Sequence, residues 1–275
     1  YLMDGYNDSN YPDVTPERDG KRLIVQPNTF NMYCHREPRF YLTVVWNGQW
    51  FKWENRNTNF LYGQPDGGPT HDAPQNGYLN RSRVSLDYIP RDNNHPYRPA
   101  IIFRMAEAYL SYAEALNESS ERMSHKQEIL DNLNKIRHRA GIAEYGTGTD
   151  ENGFTRIKIN FSDQKEVRRL IHKERRVEFV GEGVRYHDLR RWKTAHYGIG
   201  NLNEQGENPD WGVNGPDYGM NYYGTEYTDQ GDNAFFKRTK YMDRVYPRKF
   251  YWYPIHQSEI DKDPTLVQGP FWLGE

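Results

Sequence analysis

Three tryptophans and a phenylalanine, Trp46, Trp50, Phe51 and Trp53, are interleaved with Asn47, Gln49, Lys52, Glu54 and Asn55. Flat rings offer apolar faces, while amide side chains carry a donor and an acceptor side by side. Aromatic walls with a few placed polar groups are the general recipe for a ligand pocket. A polyhydroxylated ligand suits it, stacking C–H faces on rings and fixing its hydroxyls on amides. We therefore take Trp46, Asn47, Trp50 and Trp53 as candidate ligand contacts. The competing reading puts the tryptophans in the core beneath a loop, and residue types alone leave both open.

A second cluster is ionic. The segment from Glu174 to Trp192 reads ERRVEFVGEGVRYHDLRRW. Glu174 and Glu178 stand four apart, on the same helix face as Leu170, Ile171 and Val177. Charges bordering an apolar stripe suggest partly buried pairs, with Arg185 or Arg190 as the expected partners. Arginine suits that role through its planar, bidentate fork. An anion site is the functional alternative; helix-to-helix pairing is the preferred one.

Catalytic patterns are missing. There is no H-E-x-x-H, no G-x-S-x-G, no P-loop and no G-x-G-x-x-G after a strand-like run. The nine histidines are scattered. Asp4, Asn7, Asp8 and Asn10 crowd together, as do Asp150, Glu151 and Asn152, but neither group fits an EF-hand loop. The expectation is therefore no enzyme, no cofactor and no catalytic metal, with a structural calcium left as an open alternative. Thirty-six basic against 38 acidic residues give a net charge of −2, which argues against a nucleic-acid partner. The single cysteine, Cys34, excludes an intrachain disulfide. Only 36% of the 275 residues are hydrophobic but 15% are aromatic, so rings must supply much of the core. No apolar run approaches the length of a membrane-spanning helix.

The elements that must position these residues fall into three stretches. Residues 1–96 are rich in Asn, Asp, Gly, Pro and Tyr. The run Arg39–Trp46, the Asn47-Gly48 turn and Gln49–Trp53 predict a β-hairpin. Residues 97–195 turn helical. Pro99 suits a first helical position, and Ile101, Ile102, Met105, Ala108, Tyr109, Tyr112, Ala113 and Leu116 follow helical spacing. Ser124 with Gln127 forms a capping-box pattern ahead of Ile129, Leu130, Leu133, Ile136 and Ala140, and Gly141 sits at the C-terminal cap. Further helices are expected over about 163–180 and 184–195. Residues 196–275 return to loop composition. Asn201–Asp232 is expected as an ordered aromatic loop carrying Trp211, Tyr218, Tyr222, Tyr223 and Tyr227. The tail 251–272 is expected to pack back on the body.

Several motifs resemble the SusD/RagB family of glycan-uptake lipoproteins. They are Glu37–Phe40, Tyr97–Pro99 leading into Ile102–Ala115, Leu133–Gly141, Glu174–Trp192, and the closing Tyr253–Ile260 with Gln268–Trp272. His256 and Gly269 depart from the family's usual proline and asparagine. The resemblance implies a mainly α fold of tetratricopeptide-like helix pairs (an α-α superhelix) with long irregular loops and a small β-hairpin. It corresponds to the C-terminal portion of a member and implies one domain without its N-terminal half: a loop-rich ligand face with the hairpin in 1–96, a helical core in 97–195, and an aromatic loop and tail in 196–275. It implies a surface-exposed, non-catalytic lipoprotein of the outer membrane of a Bacteroidetes-type bacterium, anchored through that N-terminal part. It would bind an oligosaccharide and serve a SusC-like TonB-dependent transporter. The alternatives are a peptide ligand as in RagB-like members, a glycoside hydrolase, or a pure protein scaffold.

Overall fold

The computed structural model describes residues 25, 29–51, 54–82, 84, 92–93, 95–97, 100–198 and 212–273. Its contacts divide the chain into two units: Tyr1–Glu182 with Met220–Lys237, and Gly183–Gly219 with Arg238–Glu275.

The first unit is mainly helical. Helix α1 covers Pro38–Thr43, α2 Met105–Glu118, α3 Lys126–Ala140 and α4 Gln164–Glu178. Helix α2 packs on both α3 and α4, giving the paired-helix arrangement. Apolar spacing explains the shared core: Leu110 and Ala113 of α2, Ile129, Leu133 and Ile136 of α3, and Val167 and Ile171 of α4 are buried. Helix α4 starts at Asp163, whose carboxylate accepts the Lys165 and Glu166 N–H groups. Helix α3 ends at Gly141, at φ 67°, a left-handed position that glycine adopts without a Cβ clash.

Two helix starts differ from expectation. Helix α2 begins at Met105 rather than near Pro99, which lies outside the described residues, and Ile101 and Ile102 are exposed. The guanidinium of Arg104 is drawn onto Glu178 and Glu182, and its backbone stays extended at φ −140°. Helix α3 begins at Lys126, because the Ser124 hydroxyl donates back to the Glu121 carbonyl instead of capping.

The expected hairpin is also replaced. Residues 38–43 form α1, with Pro38 at its first turn, and only Val44–Trp46 is a strand, β1. Strand β1 pairs antiparallel with β4, Tyr78–Asn80; β2, Trp50–Phe51, pairs with β3, Arg56–Asn57. The Asn47-Gly48 turn does form, with Gly48 at φ 92°, but it joins two different two-stranded sheets. Against these strands lies an aromatic core of Tyr33, Phe40, Tyr41, Trp46, Phe60, Phe235 and Phe236. The last two come from residues 220–237, so this segment is an integral part of the first unit.

The second unit holds α5, Val184–Arg191, strands β5, Gly215–Gly219, and β6, Thr239–Arg244, and α6, Gln257–Lys262. Strands β5 and β6 pair antiparallel, so Gly215–Gly219 is a strand within the stretch whose composition predicts a loop. Leu189, Ala195 and Tyr246 form its small core. The tail folds largely on itself. Gln268 exchanges two hydrogen bonds with the Ile255 backbone, and the Trp272 indole donates to the Trp252 carbonyl. Arg190 of α5 ties it down by donating to the Tyr251 carbonyl.

Candidate functional site

The sequence candidates separate by burial. Trp46 has no exposed surface. It packs against Phe40 at 5.3 Å, Tyr41 at 5.5 Å and Tyr33 at 5.7 Å between ring centroids. Asn47 is 1% exposed, and its side-chain oxygen accepts the Phe60 N–H at 2.7 Å. Neither can touch a ligand, which corrects both assignments: Trp46 is core, and Asn47 holds the turn to the following loop. Trp50 is half-buried on β2 opposite Asn57. Trp53 lies outside the described residues.

The ionic cluster is resolved in the first unit. The Glu174 carboxylate takes Arg39 Nη1 at 2.7 Å and Arg137 Nη1 at 2.9 Å, and is itself 0% exposed. Glu178 takes Arg39 at 2.9 Å, together with Arg104 and Arg139. Arg39 also grips Glu37 through Nε and Nη2, at 2.8 and 2.9 Å, and Arg104 grips Glu182. The expected partners, Arg185 and Arg190, are thus replaced by Arg39, Arg104, Arg137 and Arg139. Arg190 instead serves the second unit, donating to the Tyr186 hydroxyl and the Tyr251 carbonyl. Burial alone would raise the Glu174 and Glu178 carboxyls, but the surrounding guanidiniums outweigh it and hold both below the usual range. Glu37 goes the other way: burial dominates its pairing with Arg39 and pushes it up. Four carboxylates and four guanidiniums satisfy one another, so this cluster fastens helices.

Exposed rings converge elsewhere. Tyr62, Tyr222 and Tyr223 form a mutual triad, with centroids 6.0 Å apart for Tyr62–Tyr222, 5.5 Å for Tyr62–Tyr223 and 5.1 Å for Tyr222–Tyr223. The Tyr222 and Tyr223 planes stand at 88°, edge to face. Tyr223 is 70% exposed and the other two are half-buried. Among the described residues, none hydrogen-bonds the three hydroxyls.

The backbone beneath the triad is fixed. The Tyr62 N–H donates to the Gly224 carbonyl at 2.8 Å, joining the two loops. Asp66 closes the first loop, accepting two bonds from Arg56, at 2.6 and 2.8 Å, and one from the Asn59 N–H. Asn221 braces the second: its amide donates to the Asp232 and Ala234 carbonyls and accepts the Tyr223 N–H. Glycine is required where the loops meet. A Cβ at Gly68 would lie 2.6 Å from the Tyr222 ring, and one at Gly224 would lie 2.5 Å from the Phe235 backbone. Tyr222 and Tyr223 were legible only as aromatic loop residues, and Tyr62 was missed. Each loop places a tyrosine directly before glycine, Tyr62-Gly63 and Tyr223-Gly224, but the same pair recurs at Tyr145-Gly146, Tyr197-Gly198 and Tyr218-Gly219, so no local signal singles the triad out.

No group of three or more metal-ligating side chains occurs among the described residues. The Asp150 carboxylate is occupied by the Glu144, Asn152 and Phe154 N–H groups, so it braces a turn. The Asp4–Asn10 cluster lies outside the described residues. No helix among the described residues is long and apolar enough to cross a membrane.

The sequence model of the SusD family matches residues 1–272. The chain belongs to the SusD family. That family consists of binding proteins without a catalytic role. Among its relatives is the SusD-like protein P25 of Formosa agariphila, 32% identical over 109 residues, which are 40% of this chain and 18% of that protein. A solved SusD-like protein from Bacteroides fragilis is 26% identical at a TM-score of 0.59, over 86% of this chain and 39% of that one. A second from the same organism, described as a SusD-like carbohydrate binding protein, shares the fold at a TM-score of 0.54 and 22% identity, over 94% of this chain and 44% of that one. This SusD-family chain therefore spans less than half the length of the solved relatives it matches.

Proposed function

We propose that this chain belongs to a lipid-anchored, surface-exposed subunit that captures an oligosaccharide without altering it. The subunit hands the glycan to a SusC-like TonB-dependent transporter in the outer membrane. The helices of residues 97–195 serve as scaffold, and the loops on either side supply the ligand face. One observation carries the reading: three tyrosine rings meet on a braced loop face with their hydroxyls unengaged by described residues. Rings at differing angles accommodate a curved chain of sugars better than a single flat wall would. Their hydroxyls, each donor and acceptor, match those of the ligand. Trp50, half-buried on β2, is the flanking ring in this proposal.

The decisive experiment is titration calorimetry against oligosaccharides picked from a glycan array. Replacing Tyr222 and Tyr223 by alanine should abolish measurable binding while circular dichroism stays unchanged. Equal affinity in the double variant removes the triad as the site. An array on which only peptides bind replaces the glycan by a peptide.

A further inference from the structure

The second unit has an aromatic surface of its own, independent of the tyrosine triad. Arg190 of α5 lies over the Tyr186 ring at 5.2 Å and the Tyr253 ring at 5.3 Å, measured to the centroid. Lys193, just past the end of α5, lies over Tyr251 at 5.4 Å and Trp252 at 4.9 Å, and Lys249 lies over Trp272 at 5.0 Å. Ring contacts join these into one surface: Tyr251–Trp252 at 6.0 Å, Trp252–Phe271 at 5.8 Å and Phe250–Trp272 at 6.2 Å, with the Trp272 indole on the Trp252 carbonyl. Tyr253 is 79% exposed and Leu273, next to Trp272, is 83% exposed; Tyr186, Phe250, Trp252 and Phe271 are exposed as well.

Three cations thus stand on the rings of this surface, and among the described residues none of them meets a carboxylate. Arg190 donates to the Tyr186 hydroxyl and the Tyr251 carbonyl, and the Lys193 and Lys249 ammoniums make no hydrogen bond or ion pair there. The acids flanking these segments in the chain are taken: Asp188 by Arg191 at 2.9 Å, Asp243 by Lys240 at 2.6 Å and Glu259 by Lys262 at 2.8 Å. A ring under an ammonium holds it by cation–π attraction without neutralising it, so the charge stays available to an outside anion.

We infer that this surface docks on a bilayer that bears anionic headgroups. Exposed apolar patches of this kind meet either a protein or a membrane. Lysine decides between them: it is depleted from protein–protein interfaces, whereas Trp and Tyr beside Lys and Arg are the residues of a membrane interface. The rings sink to headgroup level while the cations pair with lipid phosphates, so apolar burial and charge attraction add. For a lipid-anchored subunit, as proposed above, the patch supplies a second attachment.

The test is cosedimentation of the 275-residue chain with vesicles of phosphatidylcholine, either alone or mixed with phosphatidylglycerol. The mixed vesicles should bind about a hundredfold more tightly, roughly fivefold for each of the three cations, and tryptophan emission should move to shorter wavelength. Added salt should weaken that binding. Lys193→Gln/Lys249→Gln should lower affinity for the mixed vesicles about thirtyfold with circular dichroism unchanged, and Tyr253→Ser should weaken binding to both kinds several-fold. No preference for the mixed vesicles, or a double lysine variant that binds them as the parent does, overturns the inference. Poly-glutamate that binds where vesicles do not makes the occupant an acidic protein and overturns the bilayer. Tyr222→Ala/Tyr223→Ala should bind vesicles normally, so failure of the docking surface and failure of the glycan face are told apart.

Discussion

The glutamate–arginine cluster and the tyrosine triad invert the usual distribution of side chains. Glu174 is fully buried and Arg137 is 2% exposed, whereas Tyr223 is 70% exposed. Lone charges avoid the interior and bare rings avoid water, so each arrangement needs its own explanation. In the cluster the explanation is internal: every carboxylate finds guanidinium partners from α1, α3 and the start of α2. In the triad the partners are absent among the described residues, although the backbone below is fully braced. Charge density alone does not mark function, and neither does aromatic density. Satisfied groups hold the fold, and unsatisfied but rigid groups are the ones the proposed function assigns to a ligand.

The largest test of this contrast is Glu174→Ala. It leaves Arg39 and Arg137 facing one another without their shared carboxylate, and breaking a buried pair in this way costs about 3–5 kcal/mol. Urea denaturation should show the midpoint falling accordingly, with no specific effect on ligand affinity per folded molecule. Tyr223→Ala alone should do the reverse, costing on the order of 2 kcal/mol in ligand binding, roughly thirtyfold, while moving the urea midpoint little. A midpoint shift as large as that of Glu174→Ala would show that Tyr223 belongs to the core instead. Gly68→Ala acts more gently. Its new Cβ must push the Tyr222 ring aside, and binding should weaken by a few-fold, about 1 kcal/mol, as read by calorimetry.

The subtlest test is pH. Glu174 and Glu178 have folded-state values below 4.5, so their contribution is present above that pH and is lost as pH falls through the folded values. Glu37, pushed above 4.5, works oppositely: its contribution is present at low pH and is lost as pH rises through the folded value. In Glu174→Gln, thermal denaturation should therefore lose part of its dependence on pH below 4.5. An unchanged slope would remove Glu174 from the ionisable lattice.

The sequence showed local features and hid long-range ones. Helices α3 and α4 were readable from their stripes and from Gly141, and Glu174 with Glu178 from their spacing beside apolar neighbours. Their partner Arg39 was not, because it lies 135 and 139 residues away. The same arginine explains why a strand-like run became α1: helical geometry lets Phe40 and Tyr41 enter the aromatic core while Arg39 reaches α4. Trp46 looked like a ligand platform because burial is invisible in residue type. Tyr62 and Tyr223 come from stretches about 160 positions apart, brought together by the Tyr62 N–H to Gly224 carbonyl and Met220 N–H to Asn76 carbonyl bonds and by a shared aromatic core, none of which a local pattern announces.

That bond, from the Tyr62 N–H to the Gly224 carbonyl, has a kinetic consequence. With both loops already tied, the proposed glycan would spend little of its contact energy on ordering the protein. Capture should then occur in one step, with an observed rate rising linearly with glycan concentration and no slow phase, and release should be governed by how many rings the ligand covers. In the proposed role of capture and hand-over, a pre-ordered site of this kind would let affinity be set by the ring area covered rather than by closure of a loop.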